Sequence, residues 1–212
     1  MQDATRRLWL DPAGSCAAGR DAHRSWRSQM LRLLVLRHAK SDWTSGASRD
    51  FDRPLNARGR KAAPLVGAHM ATHGLTPDKV LCSPALRTRQ TLELVLPHLP
   101  PPAETDMPQA LYDDGDLGYL DILQTQGGDA RCLMVVGHNP ACQDTVLELA
   151  GQSERGLLDA VMRKYPTATL AVLDLAVGDW RDVRPGCARL AALAQPRHLP
   201  APDRLSALPD SV

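Results

Sequence analysis

The 212-residue sequence has few aromatic residues and almost no net charge. Aromatics make up 4% of the chain, so leucine, valine and alanine must fill the core that its 43% apolar content allows. The 25 basic and 24 acidic residues leave a formal charge of +1. This balance argues against a protein that coats nucleic acid or an anionic membrane through bulk charge, so a bound anion would need a local cluster.

The cysteines are too few and too scattered for a disulfide framework or a zinc site. There are five, an odd number, and no CxxC spacing occurs. This usage predicts a reduced, cytoplasmic chain. No apolar stretch approaches the roughly 20 residues that span a bilayer, so no membrane segment or membrane partner is expected.

The two ends of the chain differ from its middle. Residues 1–29 contain five arginines but no continuous apolar run, which is not the pattern of a secretory signal. Residues 196–212 contain four prolines and are predicted to form a loose tail. We expect one folded domain over residues 30–195, preceded by an extension that is disordered or not native.

Apolar runs of strand length alternate with helical segments along the middle of the chain. Strands are predicted at 31–36, 79–83, 104–111, 131–136, 168–175 and 180–184, the last at a sheet edge. Helices are predicted at 55–74, 83–96, 116–125 and 140–150. The alternation predicts an α/β fold, a three-layer α/β/α sandwich with a mainly parallel sheet.

Turn and cap residues predict where these helices begin and end. Asn56 is expected to cap the first helix and Gly74 to end it, while Pro64 predicts a kink or a later start. The pairs Ser83-Pro84 and Asn139-Pro140 are expected to cap and open the helices that follow two of the strands.

Basic and imidazole side chains follow three of the predicted strands. Arg37 and His38 end the first strand, His138 follows the 131–136 strand, and Arg87 lies one turn into the helix after the second. Ligands of open α/β sheets bind beyond the carboxyl ends of the strands, so these four side chains should share one edge. Each alone is more often a structural residue, but together they would repel one another unless a dianion lay between them.

Phosphate has the charge and the shape that such a cluster fits. Arginine forks match phosphate oxygens, and helix N-termini add backbone N–H donors. A neutral imidazole is the best nucleophile for phosphorus among the groups present, and a second, protonated histidine would neutralise the oxygens in the transition state. The sequence therefore predicts phosphoryl transfer through a phosphohistidine.

These residues lie in motifs that resemble those of a known family. The stretches LVLRHAKSDW, DRPLNARG, LCSPALRTRQTLE and MVVGHNP occur in the family's order between about Leu31 and Pro196. They resemble the histidine phosphatase superfamily and, within it, the SixA-like phosphohistidine phosphatases. The resemblance implies a phosphoglycerate mutase-like fold and a phosphatase without metal or organic cofactor. Ala39 stands where the superfamily commonly has glycine, a departure that we interpret as the SixA-like variant.

The resemblance also implies roles for individual residues. His38 matches the phosphorylated nucleophile, and Arg37, Arg87 and His138 match the rest of the phosphate pocket. Ser41 matches a position that helps to hold phosphate in related enzymes.

Two further assignments stay open at this point. Arg53 is a candidate substrate contact at the pocket rim, or it pairs with Asp50 or Asp52 on the surface. A general acid is not evident, and the candidates are loop carboxylates that are more often solvated or capping residues: Asp42, Asp52, Asp113 and Asp114. A phosphoramidate such as phosphohistidine needs less help from an acid because its nitrogen departs readily once protonated.

The sequence thus favours a phosphatase for phosphohistidine, or for another phosphomonoester or phosphoramidate, on a protein or a small molecule. A small-ester phosphatase or mutase ranks second, because the short chain has few insertions to build a lid. A non-catalytic phosphate-binding module would keep the arginines but would not need both His38 and His138. Metal binding by these histidines is disfavoured by the arginines beside them.

Overall fold

The computed structural model describes residues 30–113, 118–154 and 156–200. The strands are β1 (Leu31–Arg37), β2 (Lys79–Cys82), β3 (Glu104–Asp106), β4 (Cys132–Gly137), β5 (Ala150–Ser153), β6 (Leu170–Leu175) and β7 (Ala188–Ala194). The helices are α1 (Ala57–Thr72), α2 (Leu86–Val95), α3 (Ala110–Asp113), α4 (Leu120–Gln126), α5 (Ala141–Leu149) and α6 (Leu157–Arg163). Within these ranges, every helix is too short or too polar to cross a membrane.

The seven strands of the described residues form one sheet in the order β3-β2-β4-β1-β6-β7-β5. Strands β3, β2, β4 and β1 run parallel, whereas β6 pairs antiparallel with both β1 and β7. Helices pack on both faces of this sheet. The predicted α/β sandwich with a mainly parallel sheet is confirmed.

Strand β1 lies inside the sheet and contributes side chains to two separate hydrophobic clusters. Leu33 and Val35 belong to the cluster that includes side chains of α4, α5 and α6, whereas Leu34 and Leu36 belong to the cluster under α1 and α2. Successive side chains of a strand point to opposite faces, so a strand covered on both faces must be apolar throughout. This accounts for the unbroken run of apolar residues before Arg37.

The boundaries of α1 follow the predicted signals, with one exception. The Asn56 side chain accepts a hydrogen bond from the Gly59 N–H at 3.0 Å, so Asn56 is the N-cap. Gly74 has φ of +62°, a backbone conformation that glycine adopts at little cost when it ends a helix. The later start expected from Pro64 is wrong, because α1 begins seven residues before this proline.

The carboxyl-terminal half of the sheet differs from the prediction. The edge strand expected at 180–184 is wrong: residues 180–182 form a 3-10 turn in which the Trp180 indole is buried and donates to the Ala130 carbonyl at 2.7 Å. Strand β7 was not predicted, and neither were β5 and α6. The β7 sequence ARLAALA is rich in helix formers, and its pairing with β6 overrides that preference.

Two other segments are shorter than predicted. The strand expected at 104–111 ends at Asp106, and Pro108, which has no backbone N–H, cannot extend the ladder. The helix expected near 116–125 begins at Leu120, and residues 114–117 lie outside the described residues.

We propose that the folded domain consists of residues 30–195 and of the short segment 196–199 that follows them. Residues 196–198, predicted as the start of the tail, form a 3-10 turn, and Leu199 packs on the core under α1 and α2. The predicted extension 1–29 and the tail beyond residue 200 lie outside the described residues.

The parallel strands end together at one edge of the sheet. Arg37 of β1 pairs with Gly137 of β4, and Cys82 of β2 pairs with Val136 of β4. The residues that immediately follow, His38, Ser83 and His138, therefore emerge side by side.

Candidate active site

His38 follows β1 directly and is almost completely buried, with 7% of its surface exposed. Its Nδ1 atom lies 2.7 Å from the carbonyl oxygen of Ala39. A carbonyl oxygen can only accept, so Nδ1 carries the ring proton and Nε2 of the neutral ring keeps a free lone pair. The Ala39 backbone is itself fixed, because its N–H donates to Thr91 Oγ1 at 2.9 Å.

The surroundings of His38 favour this neutral form. Burial lowers the pKa of His38 well below 6.5, and the hydrogen bond to Ala39 only partly opposes this effect. The nearby His138, Arg87 and Arg37 lower the pKa further because a second positive charge beside them is unfavourable. At neutral pH the His38 imidazole is therefore available as a nucleophile.

His138 lies beside His38, with 5.3 Å between the ring centroids. Its Nδ1 is 3.2 Å from Arg87 Nη2, and its Nε2 is 2.8 Å from Ser83 Oγ. A guanidinium has no acceptor, so Nδ1 must accept from Arg87 and the proton of the neutral ring lies on Nε2. His138 thus donates to Ser83, and the Ser83 hydroxyl keeps its own proton for another acceptor.

The protonated state expected for His138 is not the one that its surroundings favour. Burial, followed by the positive charge of Arg87, lowers the pKa of His138 to about 3. The ring is therefore neutral at physiological pH, and the fixed positive charge of the site comes from its arginines. A phosphate dianion beside the ring would act in the opposite direction and raise this pKa.

The backbone at His138 is held by a tyrosine. The His138 N–H donates to the Tyr119 hydroxyl at 3.0 Å, and Tyr119 is fully buried. A side chain at position 137 would collide with the Tyr119 ring and hydroxyl, so only glycine fits immediately before His138. The glycine of the VVGHNP stretch therefore lets the tyrosine approach the backbone that positions the histidine.

Two of the predicted arginines share one carboxylate, that of Asp50. Arg87 donates to the Asp50 backbone oxygen at 2.8 Å and lies 2.9 Å from its Oδ2. Arg53 donates to Asp50 Oδ1 from Nη2 at 2.6 Å and to Ser41 Oγ from Nη1 at 2.9 Å. The structure thus brings Ser41, Arg53 and Arg87 together around Asp50, and both arginines are about nine-tenths buried or more.

Arg37, the residue before His38, is held by a different contact. Its Nη1 donates to the Tyr165 carbonyl oxygen at 2.6 Å. The Nε atoms of Arg37 and Arg87 are buried and have no acceptor among the residues the structure describes. Three guanidinium groups and one carboxylate give the site a net charge of +2 when both histidines are neutral. This charge balances the charge of −2 on a phosphoryl dianion.

The predicted general acids are not part of this cluster. Asp42, Asp52 and Asp113 accept hydrogen bonds from residues two to four positions away in the chain, and Asp114 lies outside the described residues. Among the described carboxylates, Asp50 is the one that contacts the site's arginines. Although burial acts to raise the pKa of Asp50, Arg87 and Arg53 outweigh it and lower this pKa. Asp50 is therefore ionised at neutral pH and cannot supply a proton.

Sequence reasoning missed the parts played by Ser83, Asp50 and Tyr119. Ser83 was predicted to cap a helix, but α2 begins only at Leu86. The Ser83 hydroxyl is 2.8 Å from His138 Nε2 and 3.5 Å from the N–H of Ala85, the residue before α2. Its position directly after β2 was a signal for a site residue. The pairing of Asp50 with Arg53, three residues along the chain, was one of the alternatives that the sequence left open. Its contact with Arg87 and the contact of Tyr119 with His138 join residues far apart in the sequence and leave no local pattern.

The helix cap predicted at Asn139 is also wrong, because this side chain bonds to another side chain. Helix α5 begins at Ala141, and the Asn139 side-chain amide donates to Gln143 Oε1 at 3.0 Å instead of capping. The N-termini of α2 and α5 thus lie one to three residues further along the chain than predicted. Within the described ranges, no group of three or more metal-ligating side chains could hold a metal ion.

Comparison with known proteins shows the family to which the chain belongs. A family model of the histidine phosphatase superfamily (branch 1) matches residues 33–108. Phosphohistidine phosphatase SixA of Escherichia coli is 30% identical over 123 residues, which cover 56% of this chain and 74% of that protein. The chain belongs to the histidine phosphatase superfamily. Membership and these relatives support a phosphatase activity, and the resemblance seen in the sequence is confirmed.

Two further relatives match about three quarters of the chain or more. An uncharacterized protein of Mycobacterium tuberculosis is 36% identical over 164 residues, 76% of this chain and 100% of the relative. The solved structure of a proposed phosphohistidine phosphatase SixA from Nakamurella multipartitia matches with a TM-score of 0.67 at 31% identity. That match covers 79% of this chain and 96% of the other. Both matches span a larger part of the chain than the family model does.

Replacing Ser83 by alanine tests whether the serine positions His138. Ser83→Ala removes the acceptor of the Nε2 proton and leaves a buried donor unpaired, which costs about 1–3 kcal/mol. We expect the free energy of unfolding to fall by this amount and kcat/KM for p-nitrophenyl phosphate to fall about tenfold or more. Thr72→Ala, which removes an exposed hydroxyl on α1, is the control. Unchanged kinetics in Ser83→Ala would contradict the assignment.

The two buried histidines predict a loss of stability in mild acid. The unfolded chain protonates both rings below a pKa of about 6.5, whereas the folded chain resists protonation, so stability present above this pH is lost below it. Each ring contributes about 1.4 kcal/mol per pH unit. Urea unfolding between pH 7 and 5 should show a shallower dependence for His138→Gln than for the wild type, with the exposed His73→Gln as the control. Equal slopes for wild type and His138→Gln would contradict the neutral assignment.

Proposed function

We propose that the protein hydrolyses phosphohistidine on a phosphorylated protein, through a covalent phosphohistidine intermediate at His38. The observation that carries the proposal is the tautomer of His38. Its proton is held on Nδ1 by the Ala39 carbonyl at 2.7 Å, so the Nε2 lone pair is free to attack. A binding module would gain nothing from a buried, neutral imidazole with a bare nitrogen.

The surrounding residues take complementary roles in this proposal. Arg37 and Arg87 bind the phosphoryl oxygens, since each has a buried Nε without an acceptor among the described residues. His138 orients Arg87 by accepting from its Nη2. Ser41 and Arg53, joined by a 2.9 Å hydrogen bond, are further contacts for the substrate phosphoryl group.

In the first step the Nε2 lone pair of His38 attacks phosphorus. The bond between phosphorus and the substrate imidazole breaks, and its electron pair leaves with that ring. The second nitrogen of a phosphoimidazole can already carry a proton, so the ring departs neutral without a proton donor at the breaking bond. The absence of an un-ionised carboxylate from the described site thus favours this leaving group over an alkoxide.

In the second step water attacks the phosphorus of phosphorylated His38. The hydrogen bond to Ala39 keeps the proton on Nδ1, so the His38 ring again leaves as a neutral imidazole when the P–Nε2 bond breaks. Water supplies the oxygen of the new P–O bond, and both of its protons stay on oxygens of the dihydrogen phosphate product. One hydrogen bond therefore frees the nucleophile in the first step and activates the leaving group in the second.

Turnover measured in the presence of a chelator tests the proposal. The substrates are a protein phosphorylated on histidine, p-nitrophenyl phosphate and a simple alkyl phosphate. We expect rates to fall in this order, because each leaving group needs more protonation than the one before. His38→Ala should abolish release of phosphate from all three, while His73→Ala, an exposed histidine at the end of α1, should leave it unchanged.

Two results would overturn the proposal. Equal turnover by His38→Ala and wild type would exclude His38 as the nucleophile. Release of phosphate from none of the substrates by the wild type would leave phosphate binding without catalysis as the better description.

A further inference from the structure

Aromatic side chains are scarce in this chain, yet three of them surround the anion site. Six of the eight aromatic residues lie in the described ranges. Trp43, Phe51 and Tyr112 lie in or beside the segments that carry the site's arginine and carboxylate contacts, and we call these three the aromatic rim. The other three, Tyr119, Tyr165 and Trp180, are buried in the core. Three aromatics that lie beside a polar site instead of in the core call for a functional reason.

Trp43 is the most exposed large apolar side chain among the described residues, at 74%. Its ring is nevertheless held in place, because the Arg53 guanidinium carbon lies 3.6 Å from the ring centroid. Arg53 is fixed in turn by Ser41 and Asp50. The indole is therefore anchored on the pocket side and open on the solvent side.

Phe51 and Tyr112 continue the rim on the side of His138. Their rings meet edge to face with centroids 5.0 Å apart, and the Tyr112 ring lies 5.7 Å from the His138 ring. The Tyr112 hydroxyl donates to Asp50 Oδ2 at 3.4 Å. Asp50 thus joins both parts of the rim, one through Arg53 and the other through Tyr112.

We propose that the aromatic rim is the docking surface for the protein that carries the phosphohistidine, with Trp43 as its main anchor. The proposal rests on the proposed function and identifies how its substrate is selected. Trp, Tyr and Arg dominate the energetically important positions of protein interfaces. A ring that is already fixed by a cation loses little conformational freedom when a partner covers it.

The exposure of Trp43 favours a protein over a small molecule. A small phosphorylated compound held by the buried arginines cannot cover an indole that is 74% exposed on their solvent side. A protein surface that inserts its phosphohistidine into the pocket would cover it. The partner is therefore expected to present apolar side chains next to its phosphohistidine.

A pair of substrates with the same leaving group tests the docking role. One is a protein phosphorylated on histidine with phosphoramidate, and the other is free N-phosphohistidine. Trp43→Ala should lower kcat/KM for the protein by on the order of tenfold or more, through KM, and leave kcat/KM for the free amino acid unchanged. Trp43→Phe should restore part of the loss. Met162→Ala, which removes an exposed apolar side chain outside the rim, is the matched control.

Each other outcome overturns the docking role. An equal loss for both substrates would place Trp43 inside the phosphoryl site, and no loss for either would show that no partner covers it. Turnover of free phosphohistidine by Trp43→Ala at the wild-type rate excludes misfolding as the cause of a loss. If the wild type hydrolyses neither substrate, the proposed function fails and the docking role fails with it.

Discussion

The hydrogen bond from His38 Nδ1 to the Ala39 carbonyl is the interaction on which the site depends. It selects the one neutral tautomer that leaves Nε2 free, and it can persist after phosphorylation. The bond exists because the backbone after β1 is fixed: Ala39 packs in the core under α1 and α2, and Thr91 of α2 accepts its N–H. The Ala39 peptide thus links the packing of the core to the protonation state of His38.

The charges of the site serve two purposes. Three guanidinium groups provide the positive field that a phosphoryl dianion requires, and the same field, added to burial, keeps the pKa values of His38 and His138 low. In the proposed mechanism, the unprotonated state of the nucleophile and the attraction of the anion therefore have one electrostatic cause. Asp50 limits mutual repulsion between Arg53 and Arg87 by bridging them, although its own ionised state removes it as an acid.

The sequence predicted the parallel strands and the edge where His38, Arg87 and His138 meet, because apolar runs and chain order determine both. The prediction failed where contacts between residues far apart in the sequence determine the structure. Ser83 has the local chemistry of a helix cap, but His138, brought near by β4, is its stronger partner. The helix-forming composition of β7 is overridden by pairing with β6. Asp50 was expected only as a surface partner of Arg53, because its second arginine, Arg87, approaches it only in the fold.

The most direct test of this account is to trap the enzyme during turnover and locate the phosphoryl group. Phosphoramidate is mixed with the protein, the reaction is quenched in alkali on the millisecond scale, and the peptides are mapped by mass spectrometry. The account predicts one acid-labile phosphoryl group, on His38, that disappears in His38→Ala. Steady turnover without a phosphorylated protein, or with the label on another residue, would contradict it.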